Sequence, residues 1–121
     1  MKVAFPLRNK KELAIDFVRC ESIGVYDQSS QKLEYLPYNS SNELLDQIKA
    51  IGAECVVSPY FSCIALQTFR EGNIETYKAR SEAIEDNMNG LFSRMLHLFS
   101  VYDTLLEGEC PNDCSGCKYK I

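Results

Sequence analysis

The chain has no run of about eighteen apolar residues, the length that a membrane-spanning helix needs. Its first residues include a lysine but no continuous apolar segment, so we expect no signal peptide. Clustered basic residues are also scarce, and the formal net charge is −4 at pH 7, which argues against nonspecific binding of nucleic acid. Six cysteines in a chain without an export signal predict a reducing, cytoplasmic location, where metal binding is favoured over disulfides.

Several kinds of catalytic machinery are missing from the sequence. It has no glycine-rich phosphate-binding loop and no Ser-His-Asp arrangement. The first predicted strand, Val3-Ala4-Phe5, carries no carboxylate that could hold the Mg²⁺ of a nuclease. We therefore expect that the protein is not an enzyme.

The order of predicted elements is typical of an α/β fold in one domain of 121 residues. Strands are predicted at residues 2–6, 21–27, 31–36, 54–58 and 74–77. Helices are predicted after the third, fourth and fifth strands, with Ser40, Ser62 and Ser81 as N-caps and Gly52 and Gly72 as C-terminal stops. This pattern predicts a mixed five-stranded sheet with helices on both faces. Ligands of such sheets bind at the carboxyl ends of parallel strands, here after Phe5 and around residues 58–63.

An apolar stripe predicts that the last helix is long. Its members follow one another at steps of three or four and end near Gly108: Ile84, Met88, Leu91, Met95, Leu98, Tyr102 and Leu105. We expect a break or bend in this helix at residues 87–90, because glycine is a poor helix former. The stripe predicts either core packing or the seam of a homodimer.

Several segments between Met1 and about Leu91 match one protein family. They are the opening strand 1–6, the segment Asp16-Phe17-Val18-Arg19, the strand 22–27, the segments 50–57 and 71–77, and the helix 81–91. These segments resemble the dinitrogenase iron–molybdenum cofactor biosynthesis family, which includes nitrogenase cofactor carriers and the molybdenum–copper orange protein. The resemblance implies a ribonuclease-H-like, cofactor-binding domain over residues 1–91. Residues 92–121 are then a helical extension with a Cys-rich tail.

The chain departs from this family where ligand residues would be sought. The family usually has His-Phe-Gly-Arg at the position of residues 16–19, so only Phe17 and Arg19 match directly. Arg19 is predicted either to balance the charge of an anionic cluster or to form a surface pair with Asp16. Cys20 and Cys63 are predicted either as cofactor-binding sulfurs or as half-buried structural cysteines. Cys63 opens a predicted helix, whose dipole would lower the pKa of its thiol.

The tail carries cysteines at spacings that favour a metal site. Cys110, Cys114 and Cys117 form a C-x3-C-x2-C pattern, in which short spacings let successive thiolates face one metal. The same spacing holds the four-iron cluster of radical SAM enzymes, which need a larger barrel than this chain can build. The tail cysteines could therefore hold an iron–sulfur cluster, bind Zn²⁺ or be reduced thiols. Thiol–disulfide chemistry is a weaker alternative. The three tail cysteines leave a four-coordinate metal site one ligand short. Cys20, Cys63, His97, an exogenous group or a second chain could supply that ligand.

The leading hypothesis is a non-enzymatic binding or carrier protein for an iron–sulfur or molybdenum/iron–sulfur cofactor. It predicts a protein partner in cluster assembly and neither a nucleic acid nor a membrane partner. The alternative is a small interaction protein that has a structural zinc site in its tail and dimerises through the long helix. Cys55, inside a predicted central strand, is expected to pack in the core under either hypothesis.

Overall fold

The computed structural model describes residues 1–38 and 43–100. Its strands are β1 (Lys2–Leu7), β2 (Ser22–Asp27), β3 (Lys32–Pro37), β4 (Cys55–Ser58) and β5 (Glu75–Lys78). They form one sheet of five strands in the order β3-β2-β1-β4-β5. β2 is antiparallel to β1 and to β3, whereas β4 is parallel to β1 and β5 is parallel to β4. The predicted mixed α/β sheet and the hairpin of its second and third strands are therefore confirmed.

The central strand β1 continues through Pro6, which the sequence pattern predicted would end it. The Leu7 carbonyl accepts a bond from the amide of Glu21, just before β2, and the Lys2 carbonyl accepts one from the amide of Glu54, just before β4. Because the polar backbone groups of successive residues in a strand face opposite neighbours, the nitrogen of Pro6 faces β4, as the backbone of Lys2 does. Pairing with β4 does not extend beyond Ala4, so the missing N–H of Pro6 removes no bond from the ladder.

Helices pack on both faces of the sheet, as predicted. α1 (Leu44–Ala50) and α2 (Cys63–Glu71) cover one face, and α3 (Ile84–Phe92) covers the other. The first core cluster includes Ala4, Val56, Leu44, Ile48 and Phe69, and the second includes Val3, Phe5, Val57, Ile84 and Leu91. Cys55 is 1 % exposed and belongs to the second cluster, which confirms its predicted packing role. None of these helices, in the part of the chain that the structure describes, is long and apolar enough to cross a membrane.

Two of the predicted helix N-caps can be compared with the structure. Ser62 caps α2 as predicted, because its hydroxyl accepts a bond from the Ala65 amide at 3.1 Å. Ser81 does not cap α3, whose N-cap position is Ala83. The Ser81 hydroxyl instead accepts a 3.3 Å bond from the Ala83 amide in the preceding turn. The third predicted cap, Ser40, lies outside the described residues.

The predicted glycine stops have different roles. Gly52 has φ +80° after α1, which is the left-handed conformation that favours glycine. Gly72 after α2 has φ −84°, and the left-handed position is taken by Asn73 at φ +60°. A Cβ atom on Gly72 would lie 2.8 Å from Leu45 Cδ1 of α1. Glycine at this position therefore allows α1 and α2 to approach closely.

The predicted long C-terminal helix is wrong over the described residues. α3 neither breaks nor ends at residues 87–90, and it ends at Phe92. Arg94 has φ +59°, and the Met95 amide then donates a 2.7 Å bond to the Gly90 carbonyl, which closes the helix end. The predicted homodimer seam required a longer helix, and the described residues from Ser93 to Ser100 do not continue α3.

The residues after α3 pair with the outer edge of β5. The Lys78 amide donates to the His97 carbonyl at 3.0 Å, and the Phe99 amide donates to the Thr76 carbonyl at 2.8 Å. Phe99, which lies outside the predicted stripe, joins the first core cluster, whereas α3 contributes to the second. Met95 is 67 % exposed and does not belong to a continuous buried helical face. His97 is exposed, as expected for a surface histidine.

Candidate functional site

The carboxyl ends of β1, β4 and β5 meet at one edge of the sheet, where the sequence predicted a ligand. The loops that follow them are joined by hydrogen bonds. The Ala79 amide donates to the Ser58 carbonyl at 3.0 Å, and the Leu13 amide donates to the Glu82 carbonyl at 2.8 Å. The Ser58 hydroxyl lies 3.3 Å from the Ile15 carbonyl oxygen. The three loops thus form one continuous rim.

A groove of about 460 Å³ lies between these loops. Its lining combines charged and apolar side chains, among them Arg8, Arg80, Glu82, Leu13, Ile15 and Pro59. No cysteine or histidine of the residues that the structure describes lines it. The groove therefore combines two arginines, one carboxylate and apolar surface.

Arg8 is the first residue after β1 and bridges two carboxylates at the groove. Its Nη2 lies 2.7 Å from Glu12 Oε2 and 2.9 Å from Glu82 Oε2. The hydrogen bond and charge of Glu12, followed by the charge of Glu82, raise the pKa of Arg8 above its ordinary value. The bond from Asn9, followed by that from Arg8, lowers the pKa of Glu12. Arg8 and Glu12 are consequently charged at neutral pH.

Arg80, which follows β5, also lines the groove and is held against α3. Its Nε and Nη2 donate to Asp86 Oδ1 at 3.1 and 2.7 Å. A Cβ atom on Gly90 would lie 3.0 Å from Arg80 Cζ, so the absence of a side chain there leaves room for the guanidinium. The bond from Ser81, followed by that from Arg80, lowers the pKa of Asp86. Arg80 therefore has a defined position beside the groove.

Asn87 fixes the backbone that carries Arg80. This α3 side chain is fully buried, and its Oδ1 accepts a 2.8 Å bond from the Arg80 amide. Its Nδ2 donates to the carbonyls of Ser81 and Ala83, both at 2.8 Å. One amide side chain thus satisfies three backbone groups of the loop that forms the groove wall.

Arg19 pairs with Asp16, one of the two alternatives that the sequence left open. Arg19 Nε lies 4.0 Å from Asp16 Oδ2, and the arginine side chain is 53 % exposed. Asp16 is buried and accepts bonds from the amides of Val18 and Arg19 at 3.1 and 2.9 Å. Asp16 thereby stabilises the turn at the position where the family usually has histidine. A role of Arg19 towards a cluster stays a prediction.

Cys20 and Cys63 both lie near this edge of the sheet, but neither lines the groove. The Cys20 thiol donates to the Phe17 carbonyl at 3.3 Å. Burial, with a smaller contribution from the Asp16 charge, raises the pKa of Cys20 to about 12, so it is a neutral thiol at pH 7. Cys63 is 4 % exposed in the first turn of α2. The ligand roles of both cysteines, and the lowered pKa expected for Cys63, stay predictions.

The described residues hold no ready-made metal site. No group of three or more His, Cys, Asp or Glu side chains within residues 1–38 and 43–100 could hold a metal ion. The predicted metal ligands of the tail, Cys110, Cys114 and Cys117, lie outside the described residues. Within those residues, the groove offers arginine–carboxylate pairs rather than a group of metal ligands.

The sequence pattern gave no prediction for Arg8 or Arg80, which both line the groove. Arg8 directly follows β1, and Arg80 comes two residues after β5. The rule that ligands bind at the carboxyl ends of parallel strands was the signal that could have found them.

The raised pKa values of two cysteines predict that alkali destabilises the fold. Burial, as the main cause, raises the pKa of Cys20 and of Cys55 from 9.0 to about 12. The folded chain therefore holds both protons more tightly than the unfolded chain. Their contribution to stability is fully present below about pH 9 and is lost as the pH rises towards about 12.

Urea unfolding followed by circular dichroism from pH 8 to pH 11 would measure this loss. We expect the free energy of unfolding to fall above about pH 9 in the unaltered protein. The decrease should be shallower in the Cys20→Ser and Cys55→Ala variants. If the free energy of unfolding fell equally steeply with pH in all three proteins, these thiols would not be the cause of the loss of stability.

Comparisons with known proteins identify the fold. No family model matches the sequence, and no curated protein matches it at a significant level. Among solved structures, the apo orange protein from Desulfovibrio gigas aligns with a TM-score of 0.72 and 12% identity, covering 82% of this chain and 92% of its own.

Two further structures give similar values. A protein from Thermotoga, assigned to NifB and the DUF35 family, has a TM-score of 0.69 and 16% identity, with 82% of this chain and 96% of its own covered. A protein from Methanocaldococcus jannaschii, assigned as a dinitrogenase, has a TM-score of 0.70 and 19% identity, with 83% and 95% covered. The chain thus has the fold of the orange protein and these nitrogenase-related proteins, as its resemblance to the dinitrogenase iron–molybdenum cofactor biosynthesis family implied.

Proposed function

We propose that the protein is a non-enzymatic binding or carrier protein for a metal–sulfur cofactor of the iron–sulfur or molybdenum/iron–sulfur type. It acts in the assembly or delivery of that cofactor, together with a protein partner. The observation that carries the proposal is the shared fold, which spans 82% of the chain in the match to the orange protein. The strand order supports the ribonuclease-H-like description of this domain.

The geometry of the sheet edge gives further support. The groove lies at the carboxyl ends of parallel strands, where α/β sheets bind ligands, and it contains two arginines. In this proposal Arg19, Cys20 and Cys63 lie near the bound cofactor. Cys110, Cys114 and Cys117 supply additional thiolates from the tail. Neither the described residues nor the comparisons favour the alternative of a zinc-bearing interaction protein.

Anaerobic reconstitution with iron and sulfide tests the proposed function. The full-length protein is purified without oxygen, incubated with both reagents and desalted, and its iron, zinc and acid-labile sulfide are measured. We expect bound iron and sulfide together with charge-transfer absorption. Absence of all three, or zinc as the sole bound metal, would contradict the proposal.

A variant with serine at Cys110, Cys114 and Cys117 separates the tail from the folded domain. Loss of iron and sulfide in this variant would place the cluster on the tail thiolates. The matched control is Cys55→Ala, which removes a core thiol that the proposal does not use and leaves the tail unchanged. Circular dichroism of both variants verifies that the α/β domain is folded.

A further inference from the structure

We propose that Met95 is a site of reversible oxidation, at which a peroxide converts the thioether to a sulfoxide whose oxygen binds Arg80. The sulfur attacks one peroxide oxygen, so that an S–O bond forms and the O–O bond breaks. The proton of the transferred oxygen moves to the leaving oxygen. The sulfur is thereby oxidised by two electrons, and the peroxide is reduced to water, or to an alcohol if it is an organic peroxide. The modification acts on the β5–α3 loop (residues 79–83) and does not depend on the identity of the cofactor.

The backbone holds Met95 at a defined place beside α3. The Met95 amide donates a 2.7 Å bond to the Gly90 carbonyl, and the Leu96 amide donates to the same oxygen at 3.3 Å. Leu96 is buried in the second core cluster. Because these contacts anchor residues 95 and 96 at the C-terminal end of α3, the Met95 side chain leaves the fold from a fixed point.

Met95 is the most accessible of the three methionines in the chain. It is 67 % exposed, whereas Met1 is 41 % exposed and Met88 is buried. Oxidants in solution therefore reach Met95 most easily. A sulfoxide is polar and disrupts a core when the methionine is buried. At an exposed position its oxygen keeps water or a hydrogen-bond donor as partner, so oxidation of Met95 costs the fold little.

The thiols of the described residues compete poorly for the oxidant. The thiolate, rather than the thiol, is the form that reacts readily. Burial, as the main cause, raises the pKa of Cys20 and of Cys55 to about 12, so both are neutral thiols at pH 7. Cys63 is buried at the start of α2. Met95 is therefore the sulfur best placed to react within the part of the chain that the structure describes.

Arg80 presents a hydrogen-bond donor to the Met95 sulfur. Its Nη1 lies 3.8 Å from Met95 Sδ, while its Nε and Nη2 bind Asp86. A thioether is a weak acceptor, whereas the oxygen of a sulfoxide carries the negative end of a polar S–O bond. A charge-assisted N–H···O bond is about 2.7–2.9 Å long, so one oxygen atom fills the present gap in a bent S–O···N arrangement. Oxidation thus replaces a weak contact with a strong hydrogen bond and leaves the Asp86 pair in place.

The new bond ties the β5–α3 loop to its surroundings at a third point. Asp86 already holds the Arg80 side chain, and Asn87 accepts a 2.8 Å bond from the Arg80 amide. A Cβ atom on Gly90 would lie 3.0 Å from Arg80 Cζ, so glycine at this position lets the guanidinium bridge Asp86 and Met95. Oxidation should therefore stabilise this loop, whereas methionine oxidation in a core disrupts packing.

Mass spectrometry and hydrogen exchange of the full-length chain test this inference. The variant with serine at the three tail cysteines is used, so that the tail does not consume the oxidant, and it is treated with hydrogen peroxide. We expect Met95 to gain one oxygen before Met1 and Met88. The amides of residues 80–82 should then exchange about fivefold more slowly, which is the scale of one added hydrogen bond. Methionine sulfoxide reductases of both epimer specificities should restore the original rate.

Three substitutions in the same background isolate the bond between Met95 and Arg80, and each protein is compared with itself before treatment. Met95→Leu cannot be oxidised, so peroxide should leave the exchange of residues 80–82 unchanged. Met95→Gln supplies an amide oxygen at a similar reach, so its loop should exchange more slowly than that of the Met95 protein even without peroxide. Arg80→Leu removes the donor, so Met95 should still gain oxygen while the exchange of the loop does not slow.

The outcomes separate this inference from the proposed function. Unchanged or faster exchange of residues 80–82 after oxidation of Met95 would overturn the inference, as would equal slowing in Met95→Leu or Arg80→Leu. Oxidation of Met1 ahead of Met95 would contradict the assignment of the site. Failure of iron–sulfur reconstitution would overturn the proposed function alone, because no step of this oxidation uses the cofactor.

Discussion

Replacement of Phe61 by alanine is expected to lower the free energy of unfolding by about 3–5 kcal/mol. Phe61 is 1 % exposed, and its ring centroid lies 6.2 Å from that of Phe17, 6.0 Å from that of Phe69 and 5.1 Å from that of Phe99. These rings come from the loop after β1, from α2 and from the segment beside β5. Alanine would leave a cavity where the three elements meet.

Urea unfolding at neutral pH measures the effect of Phe61→Ala. Phe92→Ala is the control, because Phe92 is a half-buried phenylalanine that contacts Tyr26 on the other face of the sheet. The loss in the free energy of unfolding should be clearly smaller for Phe92→Ala than for Phe61→Ala. A loss below about 1 kcal/mol for Phe61→Ala would show that the aromatic cluster does not hold the groove loops on the domain.

Replacement of Asn87 by alanine is expected to lower the free energy of unfolding by about 3 kcal/mol. It should also weaken the binding of a ligand in the groove. The change removes three hydrogen bonds of 2.8 Å and leaves the Arg80 amide and the Ser81 carbonyl without those partners, whereas the Ala83 carbonyl keeps a 3.2 Å bond from the backbone amide of residue 87. An unsatisfied buried polar group costs about 1–3 kcal/mol, although water would reach part of this loop. Arg80 would then lose the fixed backbone that places its guanidinium at the groove.

Hydrogen exchange distinguishes this local effect from general destabilisation. In Asn87→Ala, the amides of residues 80–83 should exchange faster at denaturant concentrations where the core amides of β4 stay protected. Asn89→Ala is the matched control, because Asn89 is an exposed asparagine of the same helix. Equal behaviour of the two variants would contradict the assigned role of Asn87.

Local signals in the sequence predicted most of the fold. Alternating and continuous apolar segments placed the five strands, because burial in a sheet requires those patterns. Ser62 and Gly52 marked helix boundaries correctly, since a cap and a left-handed turn depend on only a few neighbouring residues. These features need no knowledge of distant contacts.

The end of α3 could not be predicted in this way. Met95 and Leu98 continue the apolar spacing of the helix, but both are exposed, whereas their neighbours Leu96 and Phe99 pack one in each of the two core clusters. A periodic pattern does not show that successive apolar residues serve opposite faces of a sheet. The pairing of His97 and Phe99 with β5 depends on an open sheet edge formed far away in the sequence.

The candidate site was predicted in position but not in its residues. Residues 87–90 looked like a weak point in a helix, whereas Asn87 is a buried anchor and Gly90 makes room for Arg80. Both roles depend on the loop at residues 80–83, which local sequence patterns do not place against α3. The cysteines attracted attention because of their chemistry, and that chemistry does not reveal the burial of Cys20.

The central claim is that metal–sulfur cargo binds at the carboxyl ends of β1, β4 and β5. The most direct measurement is the amide nitrogen–proton spectrum of the full-length protein before and after anaerobic addition of tetrathiomolybdate. Our account predicts signal changes at residues 8–15, 60–62 and 79–82. Changes confined to residues 110–117, or to a second groove that Tyr26, Leu33, Ile84 and Met88 line between α3 and the β2–β3 hairpin, would contradict it.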